Sequence, residues 1–179
     1  MLELSQTDLK SYMRCKQYFK YTWTLGRQPK TVPLRVIEGA SVHSGLAKLA
    51  AGQGPPSGDL IADNYVIHHP LPKVIKSIEE PMFWEYEDFR IRFTPDLLYH
   101  NDTNSLVCRD YKTFSRMPSF APDVDFQCRI YLALSHADYW EYVYIRNVVP
   151  GTKKSNGIWK PEECYFTEKV FTDERQRAT

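Results

Sequence analysis

The sequence predicts an α/β fold in which a central mixed β-sheet is flanked by helices. Three observations support this prediction: two segments with helical spacing open the chain, a series of short strand-like segments fills its middle, and another helix separates these from two further strands. At 179 residues the chain is long enough to bury a core and fits one domain spanning residues 1–179.

The first two predicted elements are helices. Ser5-x-x-Asp8 resembles a capping box, and apolar residues from Leu9 continue at helical spacing as far as Phe19. After a loop around residues 28–33, a second helix is predicted over residues 34–51. Its proposed stripe comprises Gly39, His43, Leu46, Ala47 and Ala50.

Strands dominate the rest of the chain. Glycine and proline mark residues 52–58 as a loop, and strand-like segments follow at residues 64–69, 73–79, 82–86, 89–99 and 105–113. Asp123 or Asp125 can cap a helix over residues 126–136. Strands at 142–149 and 164–171 flank a turn-rich loop, and a last helix is predicted to begin at Thr172.

Two aspartates flank a predicted β-hairpin. If its turn centres near Thr103, antiparallel pairing brings Asp96 to within about one residue of the position opposite Asp110. Lys112 shares a face with Asp110 because strand side chains alternate with a period of two. Such charges are costly to bury, which favours a chemical role for them. A cross-strand salt bridge on an exposed face is the alternative.

Carboxylates from Asp96 and Asp110 suit Mg²⁺ or Mn²⁺, and such an ion can promote phosphodiester hydrolysis. Lys112 could orient the attacking water or contact the phosphate. His43 could add a nitrogen ligand, which would favour Mn²⁺, although it could also be a packed helix residue. Gln127 and Tyr131, four residues apart on the next helix, could hydrogen-bond to a phosphate or base, or could face water.

The net charge of +1 provides no general attraction for nucleic acid, so DNA binding would need a local basic patch. Arg14, Lys16 and Lys20 supply one near the N-terminus, interleaved with aromatic residues. A solvated basic face over an aromatic core stripe is the alternative. The sequence contains no run of about 18 apolar residues, so no membrane span is expected. The N-terminus lacks an apolar signal core, so a cytoplasmic location is expected.

Four motifs occur in an order that resembles the PD-(D/E)-x-K nuclease superfamily, in particular its RecB-like branch. They are Gly39-x-x-x-His43, Pro95-Asp96, Asp110-Tyr111-Lys112 and Gln127-x-x-x-Tyr131. The N-terminal segment through Cys15 also looks like the opening helix of the family, so the resemblance covers roughly residues 5–170. It implies a restriction-endonuclease-like core and is strongest to CRISPR-associated RecB-type exonucleases.

By this resemblance, the metal ligands would be His43, Asp96, Asp110 and the backbone carbonyl of Tyr111. Lys112 would be the catalytic lysine, and Gln127 and Tyr131 would support it or the DNA. The expected substrate is single-stranded DNA or DNA ends, and the expected partners are helicase, CRISPR or recombination proteins. A binding or scaffold domain without activity and an endonuclease of the same superfamily are the alternatives.

Relatives of this kind often hold a [4Fe–4S] cluster through one early and three late cysteines. Cys15 matches the early position, but the sequence has no C-terminal trio. The other cysteines (Cys108, Cys128 and Cys164) lie far apart, as expected for buried free thiols. The chain is therefore expected either to lack the cluster or, as the favoured interpretation, to lack a C-terminal segment that completes it.

Overall fold

The computed structural model describes residues 1–27, 30–115 and 126–171. Within these ranges the fold is α/β, with a mixed sheet flanked by helices, as the sequence predicts. No helix in the described part of the chain combines the length and the apolar character needed to cross a membrane.

The elements are named in chain order within each type. The strands are β1 (Leu2–Ser5), β2 (Val74–Ile78), β3 (Met82–Tyr86), β4 (Phe89–Phe93), β5 (Leu97–His100), β6 (Leu106–Phe114), β7 (Tyr139–Arg146), β8 (Lys153–Lys154), β9 (Gly157–Ile158) and β10 (Tyr165–Phe171). The helices are α1 (Gln6–Arg14), α2 (Lys16–Phe19), α3 (Leu34–Ala50), α4 (Leu60–His68), α5 (Phe126–Ser135) and α6 (Pro161–Cys164).

The central sheet has five strands in the order β10-β7-β6-β5-β2. Strands β6 and β7 are parallel, and the other neighbours are antiparallel. Helix α5 connects β6 to β7, which is the crossover that a parallel pair requires. A three-stranded sheet, β1-β4-β3, and the short β8-β9 hairpin complete the described strands.

Alternating side chains on the central strands build a core on each face of the sheet. On one face Cys108 and Tyr142 pack with Cys128, Tyr131 and Leu132 of α5. On the other face Tyr111 and Val143 pack with α3 and α4, through Val42, Leu46, Ala62 and Tyr65. Strand β7 is buried on both faces along most of its length, as is typical of a central strand between helical layers.

The N-terminal helix begins as predicted but ends earlier. Ser5 and Asp8 form the capping box, with the Asp8 carboxylate accepting from the Ser5 backbone N–H at 2.8 Å. The prediction of one helix through Phe19 is wrong, because Cys15 adopts an extended conformation. Helix α2 and the π-helical segment Lys20–Thr24 follow this break.

The prediction of a strand at residues 64–69 is wrong, because these residues lie in and just after α4. The carboxylate of Asp59 caps this helix, accepting from the backbone N–H groups of Ile61 and Ala62 at 2.9 and 3.0 Å. A short apolar run fits a buried strand or a buried helix equally well. Here the run is a helix that packs against α3, at a point where Gly45 leaves room for Ala62.

The single strand predicted over residues 89–99 is two strands in two different sheets. Strand β4 belongs to the small sheet, and β5 belongs to the central sheet. The intervening Thr94-Pro95-Asp96 segment leaves the strand conformation, consistent with the missing N–H of proline. The helix predicted from Thr172, and Asp123 and Asp125, lie outside the described residues.

Candidate metal centre and the adjoining acid–lysine pair

The β5-β6 hairpin brings the two predicted aspartates together. Leu97 lies opposite Arg109, so the next position along the same register places Asp96 opposite Asp110. The Asp96 carboxylate accepts a hydrogen bond from the backbone N–H of Tyr111 at 2.6 Å, across the end of the strand pair. The predicted hairpin alignment is therefore confirmed.

A third carboxylate, missed in the sequence, lies beside Asp96. Strand β2 pairs with β5, and its register shifts between Ile75 and Ser77, so that Ile78 lies opposite Leu97. Glu79 follows and donates its backbone N–H to the carbonyl of Asp96 at 3.2 Å. Asp110 of β6, Asp96 just before β5 and Glu79 just after β2 thus lie side by side across three neighbouring segments of the sheet.

Helix α3 places His43 above this row, where its Nδ1 lies 3.2 Å from Asp96 Oδ1. His43, Glu79 and Asp96 each offer one ligand atom, and these atoms all lie within 4.8 Å of one another. One imidazole nitrogen and two carboxylate oxygens fit a divalent ion such as Mn²⁺, since this donor set combines hard oxygens with a nitrogen. These residues could therefore hold the metal that the motifs imply.

Asp110 is not part of this group of three. Its side chain points to the α5 side of the sheet, where Oδ2 lies 2.5 Å from Lys112 Nζ and Oδ1 accepts from Gln127 Nε2 at 2.8 Å. Gln127 Oε1 in turn accepts from Lys112 Nζ at 3.1 Å. Asp110 and Gln127 are only 3% and 7% exposed, so the amide and the ammonium compensate a carboxylate that water barely reaches.

Tyr131, one turn after Gln127, holds the Pro95-Asp96 segment in place. Its hydroxyl accepts from the backbone N–H of Thr94 at 3.2 Å and donates to the Thr94 carbonyl at 3.3 Å. Gln127 and Tyr131 are both buried, so the alternative of a water-facing helix side is wrong. One helix thus supports both sides of the site, the acid–lysine pair through Gln127 and the Asp96 loop through Tyr131.

The crowding of charge shifts several pKa values. Burial lowers the pKa of His43, but the hydrogen bond and charge of Asp96 outweigh burial and raise it above its usual value. Burial and the negative charge of Asp96 raise the pKa of Glu79. Burial raises the pKa of Asp110 to about 6, although Lys112 opposes this shift. Like charges in a row therefore repel one another unless a cation or proton compensates them.

The remaining predicted site residues are Tyr111 and three basic residues near the N-terminus. Tyr111 contributes its N–H to Asp96, and its carbonyl as a metal ligand stays a prediction. Arg14, Lys16 and Lys20 are exposed on and after α1, and Lys16 Nζ lies 5.6 Å from the ring centre of Tyr12. Arg14 ends α1, Lys16 begins α2 and Lys20 begins the π-helical segment, so these residues do not share the one helix that the sequence predicted.

The cysteines do not gather in the described part of the chain. Cys108, Cys128 and Cys164 are buried and form no disulfide with one another, as expected, whereas Cys15 is exposed and accepts from the backbone N–H of Tyr18 at 3.5 Å. Burial raises the pKa of Cys108 well above its usual value, so this thiol is poorly suited to metal binding. A role for Cys15 in a [4Fe–4S] cluster stays a prediction.

Comparison with known proteins assigns no family. No protein-family model matches the chain, and no curated protein matches it. Among solved structures, one described as "Crystal structure of SSO0001" is similar, with a TM-score of 0.49 and 14% sequence identity. The similarity covers 99% of this chain and 72% of that one.

Proposed function

We propose that this chain is a Mn²⁺- or Mg²⁺-dependent deoxyribonuclease, acting as an exonuclease on DNA ends or single strands. The observation that carries the proposal is the group His43, Glu79 and Asp96, whose ligand atoms lie within 4.8 Å of one another next to the pair formed by the buried Asp110 and Lys112. The ordered motifs described above, which resemble the RecB-like nucleases, support the choice of DNA as substrate.

A divalent ion bound here would supply a nucleophile from water at neutral pH and neutralise charge on the phosphoryl oxygens. The protein's own contribution is positioning. Asp96 is oriented by the N–H of Tyr111, and its loop is held by Tyr131. Gln127 keeps the Lys112 ammonium beside Asp110, where it can stabilise the negative charge that develops on the phosphate or orient the attacking water.

The test is cleavage of linear, circular and single-stranded DNA in the presence of Mn²⁺ or Mg²⁺. Degradation of linear DNA while circular DNA survives is expected of an exonuclease. Cutting of circular DNA would indicate the endonuclease alternative, and retained binding without any cleavage would indicate a scaffold domain.

Asp96→Asn should abolish this cleavage, because it removes one anionic ligand and weakens the contact to His43. The matched control is Asp102→Asn, which changes an exposed aspartate in the turn of the same hairpin and should cleave like the parent. Circular dichroism should show that both variants are folded. Parental turnover in Asp96→Asn would overturn the assignment of the site.

A further inference from the structure

A groove leads away from the candidate metal centre along the first half of α3. Its volume is about 510 Å³, and its lining includes Arg35, Gly39, Ala40, His43, Glu79 and Thr113. Two of these residues, His43 and Glu79, also belong to the group of potential metal ligands. The groove and the metal centre are therefore continuous.

The groove exists because β5 is shorter than β6. Strand β5 begins at Leu97 and covers β6 only up to Arg109, so Thr113 lies beyond the paired region on that side. Helix α3 passes this uncovered part of β6 closely, since a Cβ on Gly39 would lie 2.9 Å from Thr113 Oγ1. Gly39 permits this close approach, and the small side chains of Ala40 and Ser44 leave room beside it in the groove.

One cationic side chain, Arg35, lines the end of the groove away from the metal centre. Arg35 is exposed, and within the described residues no carboxylate lies at ion-pair distance from it. Arg35 and His43 are eight residues apart on one helix, which corresponds to roughly 12 Å along the axis. A stacked single strand has a phosphate about every 3.4 Å along its axis, so roughly three nucleotides span this distance.

We infer that this groove holds the single DNA strand that is cleaved, with Arg35 binding a phosphate a few nucleotides from the scissile bond. The inference rests on the proposed function for its choice of ligand. The guanidinium presents several N–H donors to phosphate oxygens, which suits backbone binding without base readout. The small residues on the α3 wall let the strand lie against the helix.

The binding test uses a fluorescent single-stranded oligonucleotide in Ca²⁺. Arg35→Ala should weaken binding about tenfold and lower the slope of log Kd against log salt by about one. Ala40→Leu, which fills the groove without changing charge, should also weaken binding. The controls are Lys73→Ala, at an exposed basic residue before β2, and Ala133→Leu, at an exposed alanine on α5. Either groove variant binding like the parent would overturn the inference.

A small phosphodiester, bis(p-nitrophenyl) phosphate, separates the groove from the metal centre because it needs no strand path. Turnover of this compound with Mn²⁺ should be the same in the parent, Arg35→Ala and Ala40→Leu. A loss in either groove variant would mean that the metal centre had been disturbed, and would overturn the inference. If the parent itself fails to hydrolyse it or DNA, the proposed function fails, while the binding measurements still decide the role of the groove.

Discussion

Single residues determine the chemistry at the junction of β2, β5 and β6. Three carboxylates reach this junction, and they have two different partners: Glu79 and Asp96 lie beside His43, whereas Asp110 pairs with Lys112. The division separates a potential metal-binding half from an acid–lysine half. It also raises the question of whether Asp110 can turn to join a bound ion.

Metal-binding measurements on single variants answer this question directly. We expect Glu79→Gln to weaken Mn²⁺ binding by at least about tenfold, because it removes one of three anionic or nitrogen donors. Isothermal titration calorimetry gives this value without any need for activity. Asp110→Asn measured in parallel tests the sequence-based ligand set: equal losses would mean that both carboxylates bind. An unchanged affinity in Glu79→Gln would exclude Glu79.

Lys112 should act on turnover more than on DNA affinity. In Lys112→Ala we expect kcat to fall by about a hundredfold or more, because one charge positioned by Asp110 and Gln127 acts mainly on the transition state. Steady-state kinetics on a linear substrate separate kcat from KM. Lys73→Ala, at an exposed lysine, is the control. A rise in KM with parental kcat would make Lys112 only a phosphate anchor.

At the scale of elements, the N-terminal helices carry exposed aromatic and basic side chains together. Tyr12 and Tyr18 are 45% and 51% exposed, and Arg14 and Lys16 lie between them in sequence. The extended conformation of Cys15 separates α1 from α2, so these residues belong to two short helices. Basic residues next to exposed rings are typical of surfaces that bind single-stranded nucleic acid.

Charge reversal tests this surface independently of the groove. Arg14→Glu combined with Lys16→Glu should weaken single-stranded DNA binding and flatten its salt dependence, because two phosphate contacts become repulsive. Binding is measured by fluorescence anisotropy over a range of salt concentrations. The control, Lys73→Glu with Lys76→Glu, changes the net charge by the same amount at two exposed lysines. If the two double variants weaken binding equally, the effect comes from the change in net charge, and the N-terminal helices do not bind DNA directly.

At the scale of the whole molecule, a buried ion pair joins the central strands on the α3 side of the sheet. Arg109 Nε of β6 lies 2.6 Å from Glu141 Oε2 of β7, and Tyr99 of β5 donates its hydroxyl to the same oxygen at 2.9 Å. Lys169 of β10 lies 3.7 Å from the other oxygen. Four of the five strands of the central sheet therefore meet at one carboxylate.

Removing one partner of this pair should cost stability. Glu141→Ala is expected to lower the free energy of unfolding by about 3–5 kcal/mol, because it leaves the Arg109 guanidinium buried without a counter-charge. Arg109→Met combined with Glu141→Leu should recover much of the loss, since apolar residues can replace a buried pair. Urea denaturation measures both. A cost below about 1 kcal/mol for Glu141→Ala would show that water screens the pair as it does at a surface.

Local rules determined a large part of the fold from sequence. The capping box at Ser5, the helix from Leu34 and the hairpin between Asp96 and Asp110 depend on neighbours close in the chain. The period of two along a strand and the turn residues after His100 together set the hairpin register. Short-range patterns were less decisive at residues 64–69, where an apolar run became a helix by packing on α3.

The sequence by itself determined that Asp96 would lie opposite Asp110 and that Lys112 would share a face with Asp110, because one hairpin contains all three. Only the tertiary structure decided that Glu79 joins Asp96 and that the Asp110–Lys112 pair faces Gln127 and not His43. Glu79 reaches the site through the pairing of β2 with β5 and the register shift before Ser77. No local pattern specifies which strand becomes the neighbour of another, because that choice depends on how the sheet packs between α3 and α5.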